Sequence, residues 1–209
     1  MLNELYISNK CPSPVTDENA HIRPWISKRM DWLDSTKNPW EKVQDREELK
    51  MFLPWLRARN FHSILEIGVR TASNLYMMAG ALANTGTITG LDIKGQKPAV
   101  QVKEKLLEEG IVFTYIFGDS AELLELIPEQ KFDFIYVDGD HHYEKARSDY
   151  EKALLRLNPG GLIGFHDISP LKRPDEVDVL WRELESRMVF KAIRAEGRCG
   201  IGVIDPQMV

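Results

Sequence analysis

Cysteine is scarce in this sequence of 209 residues, which contains only Cys11 and Cys199, near opposite ends of the chain. Neither is part of a Cys-x-x-Cys pair, so the spacing gives no support to a cysteine-rich zinc site. We interpret both as free thiols of a reducing compartment, although a disulfide between them is an open alternative.

Basic runs and long apolar runs are also missing. The net charge is −5 and no run of Lys or Arg exceeds two residues, so there is no basic field to attract nucleic acid. No window approaches the roughly 18 apolar residues of a membrane span, and Met1–Lys10 has no signal-peptide pattern. We therefore expect a cytoplasmic protein with neither a membrane nor a nucleic-acid partner.

The length predicts a single domain with an N-terminal extension. Residues 1–45 are irregular in pattern and rich in proline, but Trp25, Trp32 and Trp40 are too many large aromatics for a disordered tail. We interpret 1–45 as an arm packed across the core, or as a lid over a substrate or a contact in a homodimer. Residues 46–209 are the predicted domain.

From Asp45 onward, helices and strands alternate. Asp45 is expected to cap a helix that runs to Arg59 and that Pro54 kinks or splits. The predicted strands are Ser63–Ile67, Thr87–Asp92, Val112–Phe117, Phe132–Val137 and Leu162–Phe165. The predicted helices are Ser73–Ala83, Ala99–Glu109, Ala121–Ile127, Tyr143–Leu157 and Asp175–Met188. Asn158–Gly161 is expected to end the fourth of these helices in a turn.

This alternation predicts an α/β fold with a Rossmann-like, doubly wound sheet that is mostly parallel. The strands are almost entirely apolar, as expected when helices cover both faces of the sheet. Phe190–Arg194 and Gly200–Ile204 flank a short turn and are predicted to form an antiparallel closing hairpin at the sheet edge.

Polar residues follow the carboxyl end of each predicted parallel strand, the edge at which open α/β sheets bind ligands. In strand order they are Glu66, Gly68, Arg70, Thr71 and Ser73; Asp92; Asp119 and Ser120; Asp138, Asp140, His141 and His142; His166 and Asp167. Clustered carboxylates repel one another unless ligand hydroxyls, ammonium groups or a metal satisfy them. The set predicts a ligand-binding cleft.

The loop after the first strand, Glu66–Ser73, keeps only the first glycine of a dinucleotide fingerprint. A pyrophosphate needs close backbone approach at the later glycines, where this chain has Arg70 and Thr71. The loop therefore disfavours an NAD(P)-dependent oxidoreductase and suits a ligand without a pyrophosphate. Glu66 suits the cationic end of an amino-acid-bearing cofactor, and Asp92 can accept the two hydroxyls of a ribose.

The order Glu-x-Gly, acid after the second strand, and Gly-Asp-Ser after the third resembles the class I methyltransferases. More narrowly, Val137–Tyr143 (VDGDHHY), Asp149, Asn158–Gly161 and Phe165–Asp167 resemble the cephalosporin-hydroxylase-like and macrocin-type O-methyltransferases. The resemblance covers about Ser63 to Ile168, although the first loop departs from the common Gly-x-Gly-x-Gly form. It implies S-adenosylmethionine as cofactor, and the residues expected to contact it are Glu66, Gly68, Arg70, Ser73, Asp92, Asp119, Ser120 and Asp138.

A divalent metal is a further implication of this resemblance. Metal-dependent O-methyltransferases of the catechol and caffeoyl-CoA kind carry Asp after the fourth strand and Asp-Asn after the fifth. Asp138 matches the first, and His166-Asp167 matches the pair by position with different side chains. The three would hold Mg²⁺ or, because of the imidazole, Mn²⁺, Fe²⁺ or Zn²⁺, and lower the pKa of a substrate hydroxyl. The alternative is that they line the cleft without metal.

His141 lies three residues after Asp138, where those metal-dependent relatives place a lysine proposed to take the substrate proton. An imidazole is a competent base near neutral pH, so Asp138 and His141 are the predicted catalytic residues. The predicted reaction is O-methylation of a hydroxyl on a sugar or other small polar metabolite. A non-catalytic binding protein with the same fold is the alternative.

Overall fold

The computed structural model describes residues 23–36, 45–83, 86–94, 97–169, 177–192 and 199–208. The strands are β1 Ser63–Ile67, β2 Thr87–Asp92, β3 Val112–Phe117, β4 Phe132–Val137, β5 Leu157–His166, β6 Met188–Ala192 and β7 Ile201–Ile204. The helices are α1 Arg23–Ser35, α2 Arg46–Arg57, α3 Ser73–Ala79, α4 Lys97–Glu108, α5 Leu123–Leu126, α6 Tyr143–Leu155 and α7 Val177–Leu184, with 3₁₀ turns at Ser120–Glu122 and Glu185–Arg187. No helix among these residues has both the length and the apolar character needed to cross a membrane.

The strands form one seven-stranded sheet in the order β3-β2-β1-β4-β5-β7-β6. The first five are parallel, and β7 runs antiparallel to both β5 and β6. The predicted fold class is therefore confirmed, including the antiparallel hairpin. Strands β1 to β3 are added towards one edge of the sheet, and β4 and β5 are added on the other side of β1. The strand order therefore reverses between β1 and β4, and this switch point opens a crevice at the carboxyl ends of the strands.

Both faces of the sheet are covered, because alternate residues of each strand point to opposite faces. On one face, Phe134 and Tyr136 of β4 pack with Phe52 of α2 in a core that includes residues of α1 and α3. On the other, Ile135 and Phe165 pack in a core with residues of α6 and α7. The site is thus mounted on a sheet whose strands are fixed from both sides.

The predicted turn at Asn158–Gly161 is wrong, since these residues lie within β5. Phe132 of β4 pairs with Leu157, whereas Phe134 pairs with Leu162, so the four residues form a bulge opposite Asp133. Gly160 has φ +77° there, and Asn158 Nδ2 donates to Asp133 Oδ1 at 2.8 Å. The turn-forming residues therefore bend a strand instead of ending it, and α6 ends two residues earlier than predicted.

Helix α2 begins as predicted, with Asp45 Oδ1 accepting from the backbone N–H of Glu47 at 2.8 Å. Pro54 does not split this helix. Leu53 and Trp55 on either side of it are buried, so packing outweighs the hydrogen bond that proline cannot make.

Residues 23–35 are helical, contrary to the irregular pattern predicted for them. Pro24 stands in the first turn, where proline needs no N–H partner, so it marks the start of α1. Ile26, Met30 and Leu33 are buried in the core shared with α2 and α3. The division of the chain into an arm or lid and a domain at residue 45 stays a prediction; Trp40 lies outside the described residues.

The buried Arg29 ties α1 to the domain. Its guanidinium donates to the carbonyl oxygen of Tyr76 at 2.6 Å, lies 4.3 Å from the centre of the Tyr76 ring and forms an ion pair with Glu109. These partners belong to α3 and to the residue that follows α4, so one side chain bridges three helices.

We expect Arg29→Met to lower the free energy of unfolding by about 2 to 3 kcal/mol, because charged hydrogen bonds are lost and the Tyr76 carbonyl is left without its donor. Lys28→Met, on the exposed neighbouring position, should change it by less than about 0.5 kcal/mol. Urea denaturation measures both. If Arg29→Met lowered the free energy of unfolding as little as Lys28→Met does, α1 would not be part of the cooperative unit.

Candidate active site

An open cleft of about 700 Å³ lies at the carboxyl ends of the parallel strands. Most of the residues singled out in the sequence line it, namely Gly68, Arg70, Asp92, Asp119, Ser120, Asp138, Asp140, His141, His166 and Asp167. Glu66, Thr71 and Ser73 are buried and do not line it. Lys94, Lys145 and Cys199 line the cleft without having been predicted.

Gly68 brings the loops after β1 and β4 into direct contact. Its φ is +90°, and a Cβ at this position would lie 2.1 Å from the carbonyl oxygen of Asp138 and 2.6 Å from Cα of Gly139. Asp138 N–H donates to Ile67 O at 2.9 Å, and Gly68 N–H donates to Leu91 O at 2.8 Å. Glycine is therefore required here by the neighbouring backbone, whatever ligand the cleft takes.

Asp92 organises the loop after β1. Its Oδ2 accepts from Arg70 N–H at 2.6 Å and its Oδ1 from Lys94 N–H at 2.7 Å. Arg70 has φ 47° and Ala72 has φ 60°, an arrangement that L-residues rarely adopt. A carboxylate has about four lone-pair sites, so Asp92 retains capacity for ligand hydroxyls at the cleft wall.

Glu66 lies behind the cleft and is 1% exposed. Asn74 Nδ2 donates to its Oε1 at 2.7 Å, while its Oε2 has no hydrogen bond within the described part of the chain. Burial, with the nearby charge of Asp138, raises the pKa of Glu66 well above its usual range. This carboxyl is therefore an unsatisfied polar group directly beneath the loop.

Asp119 and Ser120 form the wall after β3. Asp119 Oδ1 caps the 3₁₀ turn by accepting from Ala121 N–H at 2.8 Å, and Ser120 is hydrogen-bonded to Asp149 of α6. Asp149 is only 2% exposed and does not carry an exposed helix charge. Burial raises its pKa to about 6.

The loops after β4 and β5 meet in a cluster of imidazoles and carboxylates. His166 Nδ1 lies 3.2 Å from Asp138 Oδ1 and 3.3 Å from Asp167 Oδ2. His141 Nδ1 lies 3.2 Å from the same Asp167 oxygen, and its Nε2 lies 3.8 Å from Asp138 Oδ1. The four side chains predicted to hold a metal or move a proton are thus all in one place.

The charges in this cluster support one another. Burial alone would lower the pKa of His166, but the charge of Asp138 and hydrogen bonds with Asp138 and Asp167 raise it well above its ordinary value. Burial would likewise raise the pKa of Asp167, but the hydrogen bond and charge of His166 lower it to about 2. The two carboxylates therefore favour the protonated form of His166.

A fully buried glutamate that the sequence did not indicate lies behind this cluster. Glu48 of α2 accepts from Gly200 N–H at 3.0 Å through Oε1, and its Oε2 lies 4.0 Å from His166 Nε2. Burial raises its pKa to about 7. No local pattern distinguishes Glu48 from Glu47 beside it; only the tertiary fold brings it to the site.

Within the described residues, two groups of side chains have ligand atoms close enough to hold one metal ion. Asp138, His141 and Asp167 form the first, and His166, Asp167 and Cys199 form the second, with the ligand atoms of each group within 4.8 Å of one another. The predicted set of Asp138, His166 and Asp167 is thus divided between two overlapping groups, to which His141 and Cys199 are added.

Comparison with known proteins gives this cleft a family context. Residues 65–168 match a family described as a methyltransferase domain. The chain belongs to this methyltransferase family. The match spans β1 to the loop after β5, the stretch that builds the cleft, and the resemblance to class I methyltransferases is confirmed.

Among curated relatives, caffeoyl-CoA O-methyltransferase 1 of Eucalyptus globulus is 31% identical over 145 residues, which are 63% of this chain and 55% of the relative. The chain spans little more than half the length of the first relatives it matches. An O-methyltransferase from Bacillus cereus, solved in complex with SAH, superposes with a TM-score of 0.60 at 18% identity, covering 86% of this chain and 89% of that one. TomG from Streptomyces achromogenes, solved with SAM, gives 0.60 at 18% identity, covering 85% and 87%. These structures share the fold.

The buried Asp149 generates a pH-dependent prediction. Its folded pKa of about 6 is above the unfolded value near 3.8, so the carboxyl favours the fold when protonated and this contribution is lost as the pH rises through 6. Asp149→Asn should therefore raise the free energy of unfolding by about 2 kcal/mol at pH 8 and by almost nothing near pH 4.

Chemical denaturation at the two pH values tests this, with Glu144→Gln on the exposed side of α6 as a control that should show no such difference. A stabilisation that is the same at both pH values would contradict the assigned cause.

Proposed function

We propose that the chain is an S-adenosylmethionine-dependent methyltransferase that methylates a hydroxyl on a sugar or other small polar metabolite. The cleft is the observation that carries this proposal. The loop after β1, with its single glycine, and the aspartates that line the cleft all lie in the part of the chain that matches the methyltransferase family. The relatives named as O-methyltransferases and the structures solved with SAH or SAM support it.

The residues of the cleft fit such a cofactor. Its volume of about 700 Å³ suits a small-molecule ligand. Glu66, two residues before Gly68, has a buried Oε2 with no hydrogen-bond partner within the described residues. We assign Asp92 to the ribose hydroxyls, for which it has lone pairs, and Asp119 and Ser120, which line the cleft, to the adenine edge. We assign Arg70 and Asp138 to the same binding surface, whereas Ser73, which was also predicted to contact the cofactor, is buried and does not line the cleft. When bound, the cofactor supplies the methyl group on a sulfonium.

The chain itself contributes position and proton transfer. Methyl transfer is a displacement in which orientation and removal of water carry much of the catalysis, and the close Gly68–Asp138 contact fixes the loops that would orient the cofactor. We assign His141 as the base that takes the acceptor proton. Its side chain lines the cleft and is 43% exposed. Its Nδ1 lies 3.2 Å from Asp167 Oδ2, and this contact orients the ring.

Asp138, Asp167 and an imidazole would also hold a divalent cation such as Mg²⁺ or Mn²⁺. Two carboxylates with ligand atoms within 4.8 Å of one another and of His141 suit such an ion, and His166 lies against both. The ion would lower the pKa of the acceptor hydroxyl. The acceptor itself, a cytoplasmic location, the absence of nucleic-acid and membrane partners and a homodimer stay predictions.

Direct measurement of the cofactor tests the proposal. We expect calorimetry to show one SAH site, and labelled S-adenosylmethionine to transfer its methyl group to a hydroxylated acceptor. SAH binding without turnover on any acceptor would favour a non-catalytic binding protein, and binding of NADH in place of SAH would contradict the proposal.

Asp92→Asn should weaken SAH binding about 10- to 100-fold, because a hydrogen bond to a charged group contributes about 1.5 to 3 kcal/mol. Glu104→Gln makes the same change on an exposed face of α4 and should leave the Kd unaltered. Calorimetric titration of both variants gives the comparison. Unchanged binding in Asp92→Asn would remove Asp92 from the cofactor site.

His141→Asn should lower kcat by about 10²- to 10⁴-fold and leave the Kd for SAH unchanged, as expected for loss of a general base. His142→Asn is the matched control, because this neighbouring side chain is 74% exposed and turned towards Asp140. Steady-state kinetics with the acceptor decide between them. Equal losses in both variants would show that the loop, and not the His141 imidazole, is required.

A further inference from the structure

Cys199 lies in the cleft but has no part in methyl transfer as proposed above. The ligand atoms of Cys199, His166 and Asp167 lie within 4.8 Å of one another. A thiol, an imidazole and a carboxylate in one group are a different donor set from the oxygen-rich group of Asp138 and Asp167 with His141.

The backbone fixes this group. His166 pairs with Ile201 in the antiparallel β5–β7 ladder, and Ser169 N–H donates to Cys199 O at 2.8 Å. Asp167 has φ 57° and Cys199 has φ 55°, so two non-glycine residues are held in the left-handed region, which L-residues rarely adopt. The side chains therefore converge from a rigid frame.

Glu48 supplies a separate observation that points to a ligand. It is fully buried, and its Oε2 makes no hydrogen bond within the part of the chain that is described. His166 Nε2, also buried and without a hydrogen bond there, faces it at 4.0 Å. A carboxylate near one nitrogen of a metal-binding imidazole orients the ring and leaves the other nitrogen for the metal. In His166 the nitrogen that faces Glu48 is Nε2, so Nδ1, which lies 3.3 Å from Asp167 Oδ2, is the one left for a metal.

We propose that Cys199, His166 and Asp167 bind one thiophilic divalent cation of the Zn²⁺ type, with Glu48 positioning His166. Thiolate and imidazole ligands select such a cation over Mg²⁺, and three protein ligands leave a fourth position open to the cleft. Binding displaces the Cys199 Sγ proton and any proton on His166 Nδ1 to solvent. The site needs neither cofactor nor acceptor, although it shares Asp167 with the Asp138–His141 group proposed above, so one ion at a time occupies the pair.

Cobalt(II) titration of the metal-stripped full chain tests the site, because a cobalt–thiolate bond gives a charge-transfer absorption in the near ultraviolet. We expect one equivalent of Co²⁺ to produce this band, excess Mg²⁺ to leave it and Zn²⁺ to abolish it. Cys199→Ser should lose the band, whereas Cys11→Ser, which removes the chain's other thiol, should keep it.

Glu48→Gln retains every proposed ligand and the acceptor for Gly200 N–H, so it should keep the band but weaken Co²⁺ binding about 10- to 100-fold. Calorimetry with SAH on the same samples reports folding and the cofactor site separately. No band in the wild-type chain, a band that persists in Cys199→Ser, or one that is lost in Cys11→Ser would overturn the proposal.

Discussion

The backbone contact between Gly68 and the Asp138–Gly139 segment is the constraint on which the site depends. It occurs at the switch point of the sheet, where β1 and β4 are neighbours. No side chain fits between the two loops at Gly68, so their backbones are in direct contact. This contact fixes the positions of the cleft residues in both loops. Asp92 then fixes the first loop through Arg70 N–H, and β5 carries His166 and Asp167 alongside.

So many carboxyl groups can lie close together because their environments shift their pKa values in different directions. Asp138 and Asp167 lie against His166 and raise its pKa, whereas burial raises the pKa of Glu48 and Glu66 and so favours their neutral form. Mutual repulsion is thereby confined to the few carboxylates that face the cleft. The same arrangement leaves polar atoms of Glu48, Glu66 and His166 without hydrogen bonds within the described residues, and a bound water, ion or ligand is what satisfies such atoms elsewhere.

The sequence predicted the parallel part of the sheet closely, and β1 to β4 have the predicted bounds. Short apolar runs between turn residues leave little alternative, and parallel topology then brings their polar ends together. The prediction failed at β5, where turn residues form a bulge, and at α1, whose buried face includes the charged Arg29. Glu48 and Cys199 were not predicted because only contacts distant in sequence place them, while the assigned roles of Asp138 and His141 stay predictions.

The position of β7 between β5 and β6 has a consequence for how the molecule assembles. A strand made later in synthesis must enter between two made earlier, so β6 has no partner in the sheet and β5 keeps an open edge until β7 arrives. The hydrogen bond between Glu48 and Gly200 closes a separation of 152 residues at the same step. Contacts so distant in sequence form late. A nascent chain can therefore form the five parallel strands, with most of the residues that line the cleft, before β7 brings Gly200 to Glu48 and Cys199 to the cleft wall.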